Sequence, residues 1–354
     1  MAARLKFHET LFDSLPSPIL LLDRQRRIIG ENAAARKVFG RQQRDRDLAA
    51  LLRNPDLLDA ADQVLAGEPG GAVEFTLPSP ANTEYRAMVE PLPRPGPGGA
   101  AAVLSLHDIT ALKRVEQMRA DFIANASHEL RTPLAALLGF IETLQGPARN
   151  DSVAREKFLG IMQQQATRMA RLIDDLLSLS RIERTRHVPP TEAVDLALVA
   201  RHVVDGLGPL AEQTGARLTI DAPAAVVVTG DRDELLRVAE NLIENAVKYG
   251  GAGDGASPKP VRVRVSAVGA RAFFAVNDEG PGIAAEHLPR LTERFYRVDA
   301  GDSRRKGGTG LGLAIVKHVL TRHRGRLYVD SRPGEGATFT AEIPLRGDDV
   351  LSIK

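Results

Sequence analysis

The chain has 354 residues, enough at about 100–200 residues per domain for two or three domains. Hydrophobic residues at 43% and charged residues at 26% exclude a wholly disordered or fibrous chain. A net charge of +2, from 47 basic and 45 acidic side chains, argues against a dedicated nucleic-acid binder, and the absence of cysteine removes disulfides, thiolate nucleophiles and Cys-ligated zinc.

No apolar run approaches the ~18–20 residues of a spanning helix; Ile19–Leu22 and Ala224–Val228 are far too short. The basic start Met1–Lys6 has no apolar stretch after it before Glu9, so no signal peptide is expected. The chain reads as soluble and intracellular, hence cytoplasmic.

In chain order, Ile19–Asp23 and Ile28–Gly30 flank the polar turn Arg24–Arg27 as in a hairpin. Helical patches are expected at Asn32–Phe39 and Asp45–Arg53, and strands at Ala72–Leu77, Tyr85–Val89 and Ala101–Asp108. Pro91–Gly99 is too rich in Pro and Gly for a helix or a central strand. Residues 1–110 therefore read as one small α+β domain.

The period changes over residues 111–187. Ile123, Ala126, Leu130, Pro133, Leu137, Phe140 and Leu144 step by three and four, as do Met162, Gln165, Met169, Leu172, Leu176 and Leu179. A break at Gly146–Pro147 makes this an antiparallel helical hairpin. One hairpin cannot bury two apolar stripes, so a homodimeric four-helix bundle is expected.

Residues 188–346 alternate helical runs (Leu196–Leu207, Asp233–Lys248, Gly310–His323) with strand-like ones (Arg217–Ile220, Val261–Ala267, Ala272–Asn277, Arg326–Ser331, Ala337–Ile343). That pattern predicts an α/β sandwich, followed by a polar tail at 347–354. The whole is a multidomain α+β protein.

Within the hairpin, His128 lies at heptad position f, directly away from the seam, in Asn125-Ala-Ser-His-Glu-Leu-Arg-Thr-Pro133. A lone histidine on a helix is usually just solvated. Here Glu129 follows it, able to orient one ring nitrogen and leave the other as a nucleophile, and Pro133 is expected to kink the helix nearby.

Four clusters mark the third region. Asn241, Asn245 and Lys248 fall on one helix face, with Leu242, Ile243, Ala246 and Val247 free to face a sheet. Asp278-Glu-Gly280-Pro-Gly282 presents a carboxylate at a strand's end, where it can accept from an exocyclic amine. Gly307-Gly-Thr-Gly310-Leu-Gly312 precedes a helix and offers bare amides to an anion. Gly334–Thr338 is a further tight turn. Each alone is weak; the set, with the Gly-rich segment preceded by Ser303–Lys306 able to close over a triphosphate, suits a magnesium nucleotide. No P-loop pattern occurs.

Over about Ile109–Leu345 these segments resemble the signature boxes of bacterial two-component sensor histidine kinases: the H box around His128, the N box Asn241–Tyr249, the F box Glu293–Asp299, and glycine boxes at Asp278–Gly282, Gly308–Leu313 and Gly334–Thr338. The resemblance implies a dimerisation and phosphoacceptor hairpin followed by a Bergerat-type ATP-binding domain. It makes His128 the phosphoacceptor, Glu129 its base and Thr132 the residue that orients water when a response regulator is dephosphorylated. Asn245 would hold Mg²⁺, Lys248 would meet phosphate and Asp278 the adenine amine. Asn241, Tyr249, Gly280, Gly282, Arg297, Gly308, Thr309, Gly310, Leu311, Gly312 and Thr338 would complete the ATP site.

The N-terminal domain is similar to a PAS domain in Leu15–Asp23 and Leu104–Thr110. A flavin-adduct PAS would need a cysteine; His8 and His107 leave a haem ligand open, with an ordinary packed core favoured. Asp121–Leu144 further resembles the phosphate-regulon sensor kinases, which usually carry membrane anchors upstream. None is visible here, so any membrane contact is expected through a partner. An ATP-driven clamp ATPase and a non-enzymatic dimeric scaffold are the alternatives.

Overall fold

The computed structural model describes residues 10–40, 43–78, 82–94, 96–185, 187–222, 225–250, 258–299 and 308–347. His8, Ser303–Gly307 and residues 348–354 of the expected tail lie outside them. The chain forms two compact units, Met1–Ile123 and Ala124–Lys354. The first division therefore falls inside a long helix rather than at residue 110.

In the first unit, β1 (Ile19–Leu22), β2 (Ile28–Glu31), β3 (Gly71–Leu77), β4 (Thr83–Pro91) and β5 (Ala102–Asp108) make one antiparallel sheet, ordered β2-β1-β5-β4-β3. Leu20, Leu22, Leu104 and Leu106 fill its inner face without exposure. Helix α1 (Ala33–Phe39) starts where the fully buried Asn32 accepts from the amides of Ala35 and Ile19 and donates to the carbonyls of Leu15 and Ser17. One side chain thus caps the helix and pins the strand before it.

The second helical patch shrinks to α2 (Leu48–Leu51), and a helix the patterns above do not include, α3 (Pro55–Leu65), follows it. Asn54 caps α3, Pro55 fits its first turn, and Leu57, Ala61 and Val64 pack inward at helical spacing. The cap and the N1 proline were the available signals. His107 is exposed on β5 and meets Ser17 Oγ at 3.3 Å.

The hairpin is α4 (Thr110–Gln145) and α5 (Ser152–Thr185). Ala126, Leu130, Leu137, Phe140 and Leu144 are half-buried and Pro133 is buried, as the seam requires, but Ile123, expected to open the seam, is exposed. Helix α4 is continuous through Pro133. A second apolar row, Leu134, Leu138 and Ile141 on α4 with Ile173 and Leu177 on α5, remains exposed.

The rest of the second unit has two layers. β7 (Ala216–Asp221), β9 (Lys259–Val268), β10 (Arg271–Asp278), β11 (Arg326–Ser331) and β12 (Ala337–Pro344) form a sheet ordered β11-β12-β10-β9-β7, with only β7 and β9 parallel. Burial alternates strictly along β10 and β12, so one face is covered and the other is not. Its cover is α6 (Leu196–Thr214), α7 (Arg232–Gly250) and α8 (Gly312–Arg322). Helix α6 outruns its expected end by passing through Pro209. A short pair, β6 (Glu192–Asp195) and β8 (Val227–Gly230), was invisible in the patterning because four-residue strands that pair across α6 carry too little periodicity.

His323 locks β8 to α7 and α8. Its Nδ1 bonds the carbonyl of Val319 at 2.8 Å, an acceptor only, so Nδ1 carries the proton and Nε2 accepts from the amide of Asp231 at 3.0 Å. Burial holds its pKa below the usual 6.5, against the pull of Glu234 and Asp231 and with help from Arg322. Unfolding therefore binds a proton that the folded ring refuses, and this contribution to stability is lost as pH falls below about 6.5. The melting temperature should drop between about pH 7.5 and 5.5, and by less in His323→Gln; an identical pH profile in the variant would contradict this.

Candidate functional site: a nucleotide cleft facing a histidine-bearing hairpin

Helix α7 turns Leu242, Ile243, Ala246 and Val247 into the core, each at most 2% exposed, which leaves Asn241, Asn245 and Lys248 half-buried on another face. Asn241 donates to the carbonyl of Arg237, one turn back, and lies against Gly312, where a Cβ would strike its Oδ1. Lys248 Nζ pairs with Glu244 at 2.8 Å. Tyr249 is half-buried beside them.

At the end of β10, Asp278 is 5% exposed and its Oδ1 accepts from the amide of Gly280 at 2.8 Å. Burial pushes its carboxyl above the usual range, while backbone hydrogen bonds from Gly280 and Ala337 oppose this. Glycine is required around it: a Cβ on Gly250 would lie 2.5 Å from the Asp278 Cβ, and one on Gly280 would lie 2.7 Å from the Tyr249 carbonyl. Gly282 has φ +70°, a conformation L side chains rarely adopt. Across the ladder Thr338 pairs with Asn277 and accepts from its Nδ2 at 2.9 Å.

The third cluster lies against α7, where Gly312 meets Asn241. Gly308 and Thr309 lead to Gly310, at φ +74° against Phe295, then to the fully buried Leu311 and the start of α8 at Gly312. Leu311 at the N-cap offers no side-chain acceptor to the first turn of α8, the kind of helix start that suits an anion, while the Leu311 amide itself bonds the Thr309 hydroxyl at 3.3 Å. Arg297, with a side chain only 7% exposed, donates to the carbonyl of Thr309 at 3.0 Å.

His128 is exposed on α4, and Thr132, one turn on and also exposed, donates its hydroxyl to the His128 carbonyl at 3.2 Å. Glu129 is placed elsewhere than beside the imidazole. Its Oε2 accepts from Arg168 of α5 at 2.9 Å and from Arg297 at 2.8 Å. The reason is helical geometry: adjacent residues point about 100° apart, so Glu129 faces α5 while His128 faces outward.

Four α5 residues at this junction, Arg168, Arg171, Asp175 and Glu183, belong to no motif. Asp175 of α5 accepts from the Thr309 hydroxyl at 2.7 Å and stands 3.9 Å from Arg237, and Arg171 lies 3.7 Å from Glu244. Arg294 pairs with Glu183. Their only trace in the sequence is polarity beside the Leu172–Leu176–Leu179 seam, with the half-buried Arg168 and Asp175 seven apart.

Among the described residues no helix is long and apolar enough to cross a membrane, and no three His, Asp or Glu side chains gather to hold a metal.

Three family models match. Residues 230–347 match the histidine kinase-, DNA gyrase B- and HSP90-like ATPase domain, 118–185 the His Kinase A phospho-acceptor domain, and 6–69 a PAS domain. The chain is 37% identical over 335 residues to the phosphate regulon sensor protein PhoR of Pseudomonas aeruginosa, covering 93% of this chain and 72% of that protein. It is 38% identical over 245 residues to the sensor-like histidine kinase SenX3 of Mycolicibacterium smegmatis, covering 69% of this chain and 62% of SenX3. The solved structure of histidine kinase ThkA in complex with response regulator TrrA matches over 96% of this chain and 98% of that one, with TM-score 0.50 and 18% identity, a likeness of fold alone.

A PAS domain, a phospho-acceptor hairpin and an ATPase domain in this order define a sensor kinase. The chain belongs to the sensor histidine kinases of two-component systems.

Proposed function

We propose that this chain uses ATP to phosphorylate His128 and hands the phosphoryl group to an aspartate of a response regulator. The observation that carries this is the exposed imidazole of α4 in the same compact unit as the cleft built by α7, Asp278 and the Gly308–Gly312 turn. In this reading 1–110 is the sensor, 111–187 the dimerisation and phosphotransfer hairpin, and 188–346 the ATP module.

ATP is the substrate, with its adenine amine donating to Asp278 and its phosphates toward Lys248, Arg297 and the amides ahead of α8. The donor set suits Mg²⁺ held jointly with phosphate oxygens. Asn245 supplies one neutral oxygen, and the described residues hold no acid cluster that would bind a divalent ion unaided. When bound, Mg²⁺ would neutralise charge on the phosphates. The chain's own contribution is positioning: holding the nucleotide, excluding water and presenting the outward ring nitrogen of His128.

The exposed rows Leu134–Leu138–Ile141 and Ile173–Leu177 support a homodimeric four-helix bundle. The likeness to PhoR supports phosphate-starvation signalling, in the cytoplasm or held at the inner membrane by a partner. Incubation with ATP labelled in its γ-phosphate tests the central claim: an acid-labile, alkali-stable label on the protein is expected, and ATP turnover without phosphoprotein would favour a clamp ATPase.

Thr132→Ala separates two activities. Its hydroxyl bonds only the His128 carbonyl, so label uptake should be unchanged while dephosphorylation of the phosphorylated regulator slows by roughly tenfold or more. Unaltered decay of the phospho-regulator would remove Thr132 from that role.

A further inference from the structure

Three donors at the phosphate end of the cleft already hold carboxylates. Lys248 pairs with Glu244 at 2.8 Å, Arg297 donates to Glu129 at 2.8 Å, and the Thr309 hydroxyl donates to Asp175 at 2.7 Å. The first pair lies within α7, one turn apart, and belongs to the ATP module. The other two carboxylates come from the hairpin, one from each helix.

Asp175 is incompletely matched, and so is Arg297, which shares Glu129 with Arg168. Burial pushes the Asp175 carboxyl above the usual range, the Thr309 hydroxyl and a distant Arg237 oppose this, and Glu244 and Asp174 add like charge. On the other side of the contact, the Nε of the deeply buried Arg297 has no acceptor among the described residues. A buried guanidinium with an unused donor and a half-buried carboxylate whose nearest described cation stands 3.9 Å away describe an arrangement that a second anion can displace.

We infer that Asp175 and Glu129 stand where nucleotide phosphates would otherwise be bound, at Thr309 and Arg297, so that docking of the hairpin on this face and binding of a triphosphate oppose one another. The inference rests on the nucleotide reading above. A carboxylate and a phosphate oxygen are both anionic acceptors and satisfy the same donors; Thr309 has a single hydroxyl hydrogen to give. A triphosphate drawn to Arg297 and Thr309 also brings like charge against Asp175 and Glu129 at close range, in surroundings less screening than water. Because the coupling is one free energy, docking weakens nucleotide binding by the factor by which nucleotide weakens docking. Asp175 is then a positioning residue. Its carboxylate holds Thr309 for the hairpin until ATP arrives, and Glu129 is freed from Arg297 in the same event.

Calorimetric titration of the full chain with a non-hydrolysable ATP analogue and Mg²⁺ tests this without relying on catalysis. Asp175→Ala should bind the analogue about fivefold or more tighter than the unmodified chain. Equal or weaker affinity in a variant with an unchanged melting temperature overturns the inference. Should that substitution loosen α5, a second variant supplies the reading. The chain has no cysteine, so Asp175→Cys with Thr309→Cys places two thiols where one hydrogen bond now spans the contact. Mild oxidation should close a disulfide in the nucleotide-free chain, the analogue should slow that closure, and the closed form should lose analogue affinity until reduced. Closure at one rate with and without analogue overturns the proposal. No binding of analogue by the unmodified chain would instead identify the nucleotide reading as the part that failed, and the inference with it.

Discussion

Replacing His128 by glutamine should abolish acid-labile labelling from γ-labelled ATP, lowering it to background, at least about a thousandfold below the unmodified chain. Glutamine keeps a polar side chain of similar reach but has no nucleophilic nitrogen, so no phosphoramidate can form on it. The imidazole is exposed on α4 and takes part in no hydrogen bond among the described residues, so stability should change by no more than about 0.5 kcal/mol. Binding of a non-hydrolysable ATP analogue should likewise be unchanged, because the cleft is built by α7, β10 and the turn before α8. Label that persists in His128→Gln at the unmodified level would place the acceptor on another residue. The same preparation measured by calorimetry separates loss of the acceptor from loss of the ATP site.

Asp278→Asn should weaken binding of the ATP analogue by roughly ten- to a hundredfold, the ~1.5–3 kcal/mol of a hydrogen bond to a charged group. The variant is nearly isosteric, which matters here because Gly250 and Gly280 press directly on this side chain. An asparagine oxygen can still accept from the Gly280 amide, as Asp278 Oδ1 does at 2.8 Å. The other carboxylate oxygen becomes an amide nitrogen, a donor facing the donor amine of adenine. Guanine carries an acceptor at that position, so discrimination against GTP should shrink in the same titration. The fold should not suffer, since removing a charge that burial disfavours offsets the lost hydrogen-bond strength. Unchanged affinity together with unchanged preference for ATP would take Asp278 out of base recognition.

Much of the fold was legible because its signals are local. The hairpin seam follows from three- and four-residue spacing, and burial of Leu172 and Leu179 bears it out. Strands β9 to β12 fall where alternation predicted them, with β11 at Arg326–Ser331 to the residue. The helix at Pro55–Leu65 escaped because Asn54-Pro55 reads equally as a turn, and only packing of Leu57, Ala61 and Val64 onto the PAS sheet separates the two. The β6–β8 pair escaped because its hydrogen bonds join residues more than thirty positions apart.

At the site the division is sharper. The sequence by itself determined the chemistry that is present: an outward histidine at heptad position f, an asparagine- and lysine-bearing helix face, an aspartate held by a glycine turn, and a glycine-rich turn leading into α8. These depend on residue identity and short spacing, which periodicity and turn chemistry fix locally. Only the tertiary structure decided which partners those groups take. Glu129 follows His128 in the chain, yet its carboxylate is shared by Arg168 and Arg297, 39 and 168 positions away. Asp175, silent in every motif, meets Thr309 across 134 positions. Adjacent residues on a helix diverge by about 100°, while helices packed side by side bring distant side chains within hydrogen-bond reach. That geometry, which no spacing rule encodes, turns a list of kinase signatures into a hairpin whose acids occupy the ATP module's phosphate donors.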